Sequence, residues 1–287
     1  MKDHGLLCSA DEVRAFQRGE KTQTRRLNGL KKINREPNAW EVVLPDDHGG
    51  WIAWYPNRPG LAEFQKRAYP NGGGFKIPYT PGDRVYARET WRVGAWDENK
   101  GLIAVDYKAD NHSREEWLEV PEDEMFQRLW IQSSDEAERA GRVYDGDGQY
   151  HWEPGQSPCL WRPSLFMPKW AARFWRVITA VRAERLQNIS EEDAIAEGVD
   201  RSEWKYSIAP YRNYQEQGVN VGFSTAIRSY CSLWDTLHAK PKPVRGKDHR
   251  ISHYVSYPWE DVRDVRTYRG LNWYVSGNPW VWRLEIP

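Results

Sequence analysis

Apolar positions recur along this chain with two different spacings, and the spacing changes at turn residues. Gly5–Ser9 is a short apolar stretch that suits a strand. Asp11–Arg18 then places Val13 and Phe16 on one side of a helix. Ser9 stands where an N-cap belongs and Gly19 where a helix stops. Residues Lys21–Arg26 follow as a loop or a strand. Pro81-Gly82-Asp83 is a turn, and Arg84–Trp91 alternates after it with Val85 and Ala87 on one face. Phe174–Val181, rich in aromatic and β-branched residues, predicts one long strand running on toward Leu186. Ser190 caps a helix with acids in its first turn, and Gly198 closes it. Phe223–His238 carries Ile227, Tyr230, Leu233, Trp234 and Leu237 at helical spacing. Trp280–Ile286 is a closing strand.

Between these segments the periodicity fades. Residues 28–80 are rich in Gly, Pro, Asn and Trp and predict an irregular insertion with a hairpin around Asp46–Gly50. Asn71-Gly72-Gly73-Gly74 lies near its end. Residues 93–158 form a second insertion, with a hairpin expected over Arg142–Trp152 that turns at Asp145-Gly146-Asp147-Gly148. A basic Pro-Lys-Pro loop is expected at 241–247. Short strands with a few helices predict an α+β fold, a barrel-like β domain with insertions rather than a parallel α/β sheet.

Composition sharpens this picture in three ways. The 287 residues include 17 Trp and 15 Tyr, enough aromatic area to bury a core despite modest apolar content. The net charge is zero, which argues against a protein whose main task is to coat a nucleic-acid backbone. The charge is nevertheless segregated. Residues 14–35 hold eight Lys and Arg against Glu20 alone, while residues 115–138 hold nine acids against Arg128 alone. Both read as solvated surfaces that partly neutralise each other, with a local phosphate site as the alternative for the basic stretch. Three dispersed cysteines, Cys8, Cys159 and Cys231, do not make a disulfide framework and fit a reducing compartment. With neither a leader-like apolar run nor a spanning segment, the chain reads as soluble and cytoplasmic. No Cys-x-x-Cys, His-Glu-x-x-His or phosphate loop occurs, so neither metal nor cofactor is expected. His249 and His253 sit in a polar stretch, and Asp145-Gly146-Asp147-Gly148 lacks the later acids of a calcium loop.

The densest chemistry lies in Arg18–Arg26. Gly19-x-Lys21-x-x-Thr24-x-Arg26 resembles the G-x-K-x-x-T-x-R motif of the ASCH domain, a small β-barrel of the PUA-like superfamily. Three further segments resemble the family in order. They are Pro81-Gly82-Asp83-Arg84-Val85, the helix Ile189–Gly198 of "EDA-x-x-EG" type, and Asn278-Pro279-Trp280-Val281-Trp282. The resemblance covers residues 5–27, 81–92, 161–199, 225–238 and 278–286. Residues 28–80, 93–160, 200–224 and 239–277 lie outside the minimal domain. With Trp161-Arg162-Pro163-Ser164 before the long strand, the arrangement looks like the larger ASCH-like proteins of bacteriophages and prophages.

The resemblance implies one PUA-like barrel flanked by helices, and an activity. Small bacterial members include an amidohydrolase of N4-acetylcytidine, whose catalytic Lys, Thr and Glu match Lys21, Thr24 and Glu197. Amide cleavage needs a nucleophile, a base and a donor for the developing oxyanion. Lys21 is the candidate base, Thr24 the nucleophile or the residue that positions water, and Glu197 the proton donor to the leaving amine. Arg26 is a candidate for holding a carbonyl or phosphate oxygen. Arg88 and Glu89 either pair with each other or line the same mouth, and Trp91 and Trp161 either stack on a base or belong to the core. The same residues also have structural readings: a solvated lysine, a backbone-bridging threonine, and a helix-terminal Glu197 paired with Lys21 or Arg26. Two functions therefore stand side by side. One is a hydrolase of a modified nucleoside or nucleotide, and the other a non-catalytic module that recognises a modified base in RNA or DNA. A nuclease is a third, without a metal-ligand set to support it.

Overall fold

The computed structural model describes residues 1–43, 52–54, 77–110, 112–146, 149–201, 209–216 and 222–287. In chain order the elements begin with β1 (Asp3–Leu7), α1 (Ala10–Gln17), β2 (Gln23–Arg26), β3 (Glu41–Val43) and β4 (Ile52–Trp54). Next come β5 (Arg84–Arg88), β6 (Trp91–Asp97), β7 (Leu102–Tyr107), β8 (His112–Glu119) and α2 (Asp123–Arg139). They continue with β9 (Trp175–Val177), β10 (Ala180–Arg185), α3 (Glu191–Ala196), β11 (Tyr211–Arg212), β12 (Gly222–Phe223) and α4 (Ala226–His238). The last are β13 (Lys242–Arg245), β14 (Ile251–Ser256), β15 (Arg263–Tyr268), β16 (Leu271–Ser276) and β17 (Trp280–Glu285). The fold is α+β, and the described residues hold four helices and several sheets. Among the described residues no closed barrel is found.

Two compact units divide the chain. The first takes Met1–Gly19 and Asp83–Val177. In it β5 lies between β1, which runs parallel, and β9, which runs antiparallel. A second sheet, β6-β7-β8, is an antiparallel meander. Its core gathers Trp91, Val93, Ile103, Val105 and Tyr107 with Phe126 of α2 and Met167. Helix α1 starts on a capping box. Ser9 Oγ accepts from the Glu12 amide, and the Glu12 carboxylate accepts from the Ser9 amide.

The second unit takes Glu20–Gly82 and Ile178–Pro287. Its central sheet has the order β10-β17-β2, all antiparallel. Helices α3 and α4 pack together in a core of Leu186, Ile189, Ala194, Tyr230, Leu233, Trp234 and Val281. Ser190 caps α3 and Thr225 caps α4, while Glu191 accepts the amide of Ala226 and ties the two helices. A four-stranded sheet, β13-β14-β16-β15, completes the unit.

Several expectations change. The long strand over Phe174–Val181 is two strands, β9 and β10. The break falls at Ile178-Thr179, where the chain leaves one unit for the other. Arg84–Trp91 is likewise split at Glu89-Thr90 into β5 and β6. The acidic stretch runs from β8 into α2, a helix that buries Phe126, Ser133 and Ala137 and also Glu136, whose carboxylate accepts from the Leu160 amide and pairs with Arg162. The loop expected at 241–247 contains β13, an edge strand, where Pro243 costs no ladder bond in the sheet interior. The described residues of Arg142–Trp152 hold no strand. Tyr144 stacks on Tyr150 at 4.2 Å and the Asp145 amide donates to the Gln149 carbonyl, but residues 147 and 148 of the expected turn lie outside the described residues. So do the turn at Asp46–Gly50, although β3 and β4 beside it pair antiparallel, and Asn71–Gly74. No helix among the described residues is long and apolar enough to cross a membrane.

Candidate functional site

Strand β2 presents its side chains alternately to two faces. Gln23 and Arg25 point one way, and Lys21, two residues earlier, continues the same series. All three reach acids of α3 or its C-cap residue Glu197. Lys21 Nζ donates to Glu197 Oε2 at 3.0 Å and to the Glu197 carbonyl at 2.9 Å. Gln23 donates to Asp193 at 3.0 Å. Arg25 donates to Glu197 at 3.0 Å, to Asp193 at 3.1 Å and to Glu184 of β10 at 2.8 Å. Asp193 and Glu197 are four residues apart, so one helical turn stacks both carboxylates toward β2. Arg283 of β17, which pairs with Arg25 across the ladder, closes the cluster with a contact to Asp193 at 3.0 Å. The Thr22 amide donates to the Ala196 carbonyl at 2.8 Å and locks the backbones together.

The cluster is dry. Lys21 is 2% exposed, Arg25 3% and Glu197 3%. Charges so buried need partners, and each of these has them. Burial opposes the charge on Arg25, but Glu197, Tyr230 and Glu184 outweigh it and hold the guanidinium above its ordinary value. The Tyr230 ring sits 6.0 Å from the Arg25 guanidinium.

Of the proposed catalytic residues, then, Lys21 and Glu197 meet directly. Thr24, 1% exposed, pairs with Leu284 and points to the opposite face of β2 from Arg25. Arg26 shares that opposite face, where it pairs with Trp282. The helix-terminal role expected for Glu197 is met by Lys21 together with Arg25.

The remaining candidates belong to the other unit. Glu89, 2% exposed, accepts two bonds from Arg173 at 2.8 and 2.9 Å, so its partner is Arg173 rather than Arg88. Burial pushes the Glu89 carboxyl up, against the pull of Arg173. The Arg88 side chain runs beside Gly5, where a Cβ would stand 2.5 Å from its Cδ. Trp91 is a core residue. The Trp161 ring lies under the Arg92 guanidinium at 4.4 Å, with Lys108 at 6.0 Å.

The partners that sequence reasoning missed are Arg25, Asp193, Glu184 and Arg283. Two signals pointed to the first pair: the two-residue spacing of Lys21, Gln23 and Arg25, and the four-residue spacing of Asp193 and Glu197. Among the described residues no group of acids, histidines and cysteines could hold a metal ion. Comparison with known proteins adds no relative: no family model, no curated protein and no solved structure matches the chain.

Proposed function

We propose that this chain is a hydrolase of a modified nucleoside or nucleotide that cleaves an N-acyl amide of the N4-acetylcytidine type. The observation that carries the reading is the buried contact between Lys21 Nζ and Glu197 Oε2, 3.0 Å across, between two segments distant in sequence. A PUA-like, ASCH-type affiliation belongs to the same proposal and rests on the order of the four sequence segments.

In this mechanism the pair manages one proton. Transfer from Nζ to Oε2 leaves an amine that takes a proton from the attacking water, and a carboxylic acid that protonates the leaving N4 amine. Water attack on the acyl carbon then yields the free carboxylic acid and cytidine. General acid–base assistance of this kind contributes a factor of about 10² to 10⁴. Thr24 faces away from Arg25, so water rather than Thr24 is the nucleophile. Arg25 is a positioning residue that fixes the Glu197 carboxylate by its second oxygen.

Lys21→Ala is expected to abolish release of acetate from N4-acetylcytidine, and Glu197→Gln to lower it by a factor of about 10² or more. Circular dichroism on each variant separates lost chemistry from lost fold, with Lys21→Met as the better-packed substitute. A wild-type protein inert on a panel of N4-acylated cytidines ends the proposal.

A second reading has its own support. Lys21, Thr24 and Glu197 are all 3% exposed or less, as expected for a scaffold beneath a binding surface that recognises a modified base in RNA or DNA without chemistry. It predicts salt-sensitive retention of oligonucleotides. Absence of any mobility shift at low salt removes it.

A further inference from the structure

The basic stretch singled out in the sequence has a defined place. Residues Leu30, Ile33 and Asn34 are buried, at helical spacing, within the segment that includes the 3-10 turn Ile33–Arg35. That leaves Lys31, Lys32 and Arg35 on its outer side, all exposed. Asn34 anchors the segment to β17: its amide nitrogen donates to the Trp280 carbonyl at 2.8 Å, and its oxygen accepts from the Trp280 amide at 2.7 Å. Two indoles add to the hold. Trp282 donates to the Asn28 carbonyl and Trp280 to the Pro37 carbonyl.

Across from the segment lies one face of the four-stranded sheet. Val255 of β14 pairs with Tyr274 of β16, and the alternation puts His253 and Ser276 on the same side. Between segment and sheet is a cavity of about 440 Å³. That volume falls in the range of small-ligand sites. Three cations stand at one wall, and apolar and aromatic groups (Val255, Tyr257, Tyr274) form the floor. Among the described residues that line it there is no carboxylate.

Two further observations point to a ligand. Ser276 is 4% exposed and lines this cavity, yet its Oγ has no hydrogen-bond partner among the described residues. A buried hydroxyl without a partner is costly in a native fold. Arg35 and His253 both address the Tyr274 ring, at 5.5 and 5.4 Å. Burial, with Lys31 and Arg35 nearby, holds the His253 imidazole below its ordinary value, so the wall cations act on the interior.

We infer that this cavity binds a nucleoside monophosphate, the phosphate held by Lys31, Lys32 and Arg35 and the ring seated on the Val255–Tyr274 floor with Ser276 as a polar contact. Arg and Lys suit phosphate by charge and fork geometry. The apolar floor offers a ring a surface that inorganic phosphate would leave unused. The inference does not rest on the amidase reading, since none of its residues belongs to the Lys21–Glu197 cluster.

The test is calorimetric titration of the full chain with adenosine and cytidine 5′-monophosphates, the two nucleosides, and inorganic phosphate. A monophosphate is expected to bind at least about tenfold tighter than its nucleoside and than phosphate, and Arg35→Ala or Lys32→Ala to weaken it about tenfold, the loss of one charged hydrogen bond. Ser276→Ala supplies a control that a merely structural serine would not pass. It is expected to weaken binding several-fold while leaving the free protein as stable as before or more so. A 5′-phosphorylated dinucleotide separates two sources of the same chemistry: equal affinity assigns the site to a strand end, and lost affinity to a free nucleotide. Monophosphates that bind no better than inorganic phosphate, or binding indifferent to Arg35, Lys32 and Ser276, overturn the assignment.

Discussion

Replacing Glu197 by Gln keeps the size of the side chain and removes its charge. The carboxylate accepts from Lys21 through one oxygen and from Arg25 through the other, both at 3.0 Å. A Gln offers one acceptor and turns a donor toward the other cation. Lys21 keeps the Glu197 backbone carbonyl, and Arg25 keeps Glu184 and Asp193. Neither cation is expelled, but each loses a charge-assisted bond that is individually about 1.5–3 kcal/mol. Breaking a buried pair on one side costs about 3–5 kcal/mol, because the other charge stays behind in a buried site. We therefore expect about 3–5 kcal/mol of destabilisation for Glu197→Gln. In a Lys21→Met background it should be smaller by about 1.5–3 kcal/mol, since only Arg25 then misses a partner. Hydrogen exchange of the β2–β17 ladder is the right assay, because it reads the opening of this unit alone. A coupling below about 0.5 kcal/mol, the size found for exposed pairs, would refute the reasoning.

Asn34→Ala removes both bonds to the Trp280 backbone from a fully buried site, and about 2–4 kcal/mol should be lost from the second unit, with faster amide exchange at Trp280. The Asp3 carboxyl, hydrogen-bonded to Arg84 and Lys169, lies near 2 rather than its ordinary 3.8. Its contribution to stability is therefore present above pH 3.8 and vanishes as the pH falls through about 2. Carbon-13 titration of Asp3 should show this midpoint, and Arg84→Ala should raise it. Burial pushes the Cys231 thiol up to about 12 and the Cys159 thiol upward as well. Alkylation of both at neutral pH should be slow in the native protein and rapid in urea; fast native labelling at buried Cys159 or at partly buried Cys231 contradicts the raised thiols. A Cβ at Gly277 would stand 2.7 Å from the Val262 nitrogen and closer still to the Glu260 carbonyl, so Gly277→Ala should lower the melting temperature clearly, whereas Gly146→Ala, with open space around it, should not.

Helix ends were the most legible part of the chain. Ser9 with Glu12, Ser190 with its acids, Gly19 and Gly198 all act where their chemistry placed them, because caps are local bargains between a side chain and its own backbone. Long-range pairing was harder. Residues 239–277 read as an insertion with a loop because Pro241 and Pro243 punctuate it, yet β13 to β16 build a sheet there whose edge accommodates the proline. Helix α2 was hidden by its charge, since its buried face holds a carboxylate, Glu136, beside Phe126, Ser133 and Ala137. At the candidate site, Lys21 and Glu197 were singled out by a resemblance to the ASCH motif, and the structure brings the two side chains together. Arg25 was marked only by its two-residue spacing from Gln23 and Lys21, and a four-residue strand does not announce which of its sides meets the helix.

The placement of β17 between β10 and β2 has a kinetic consequence. Thr24 finds Leu284 only after nearly the whole intervening chain has been gathered, and Val181 finds the same residue from the other side. Closing so wide a loop costs entropy before any contact compensates, so native-like order around the lysine and its carboxylate partners should arrive late in refolding. Until then β2 has an open edge and its cations no shelter. Isolated fragments that stop short of Trp280 are accordingly poor vehicles for studying this cluster of charge, because they lack the strand that joins its two sides.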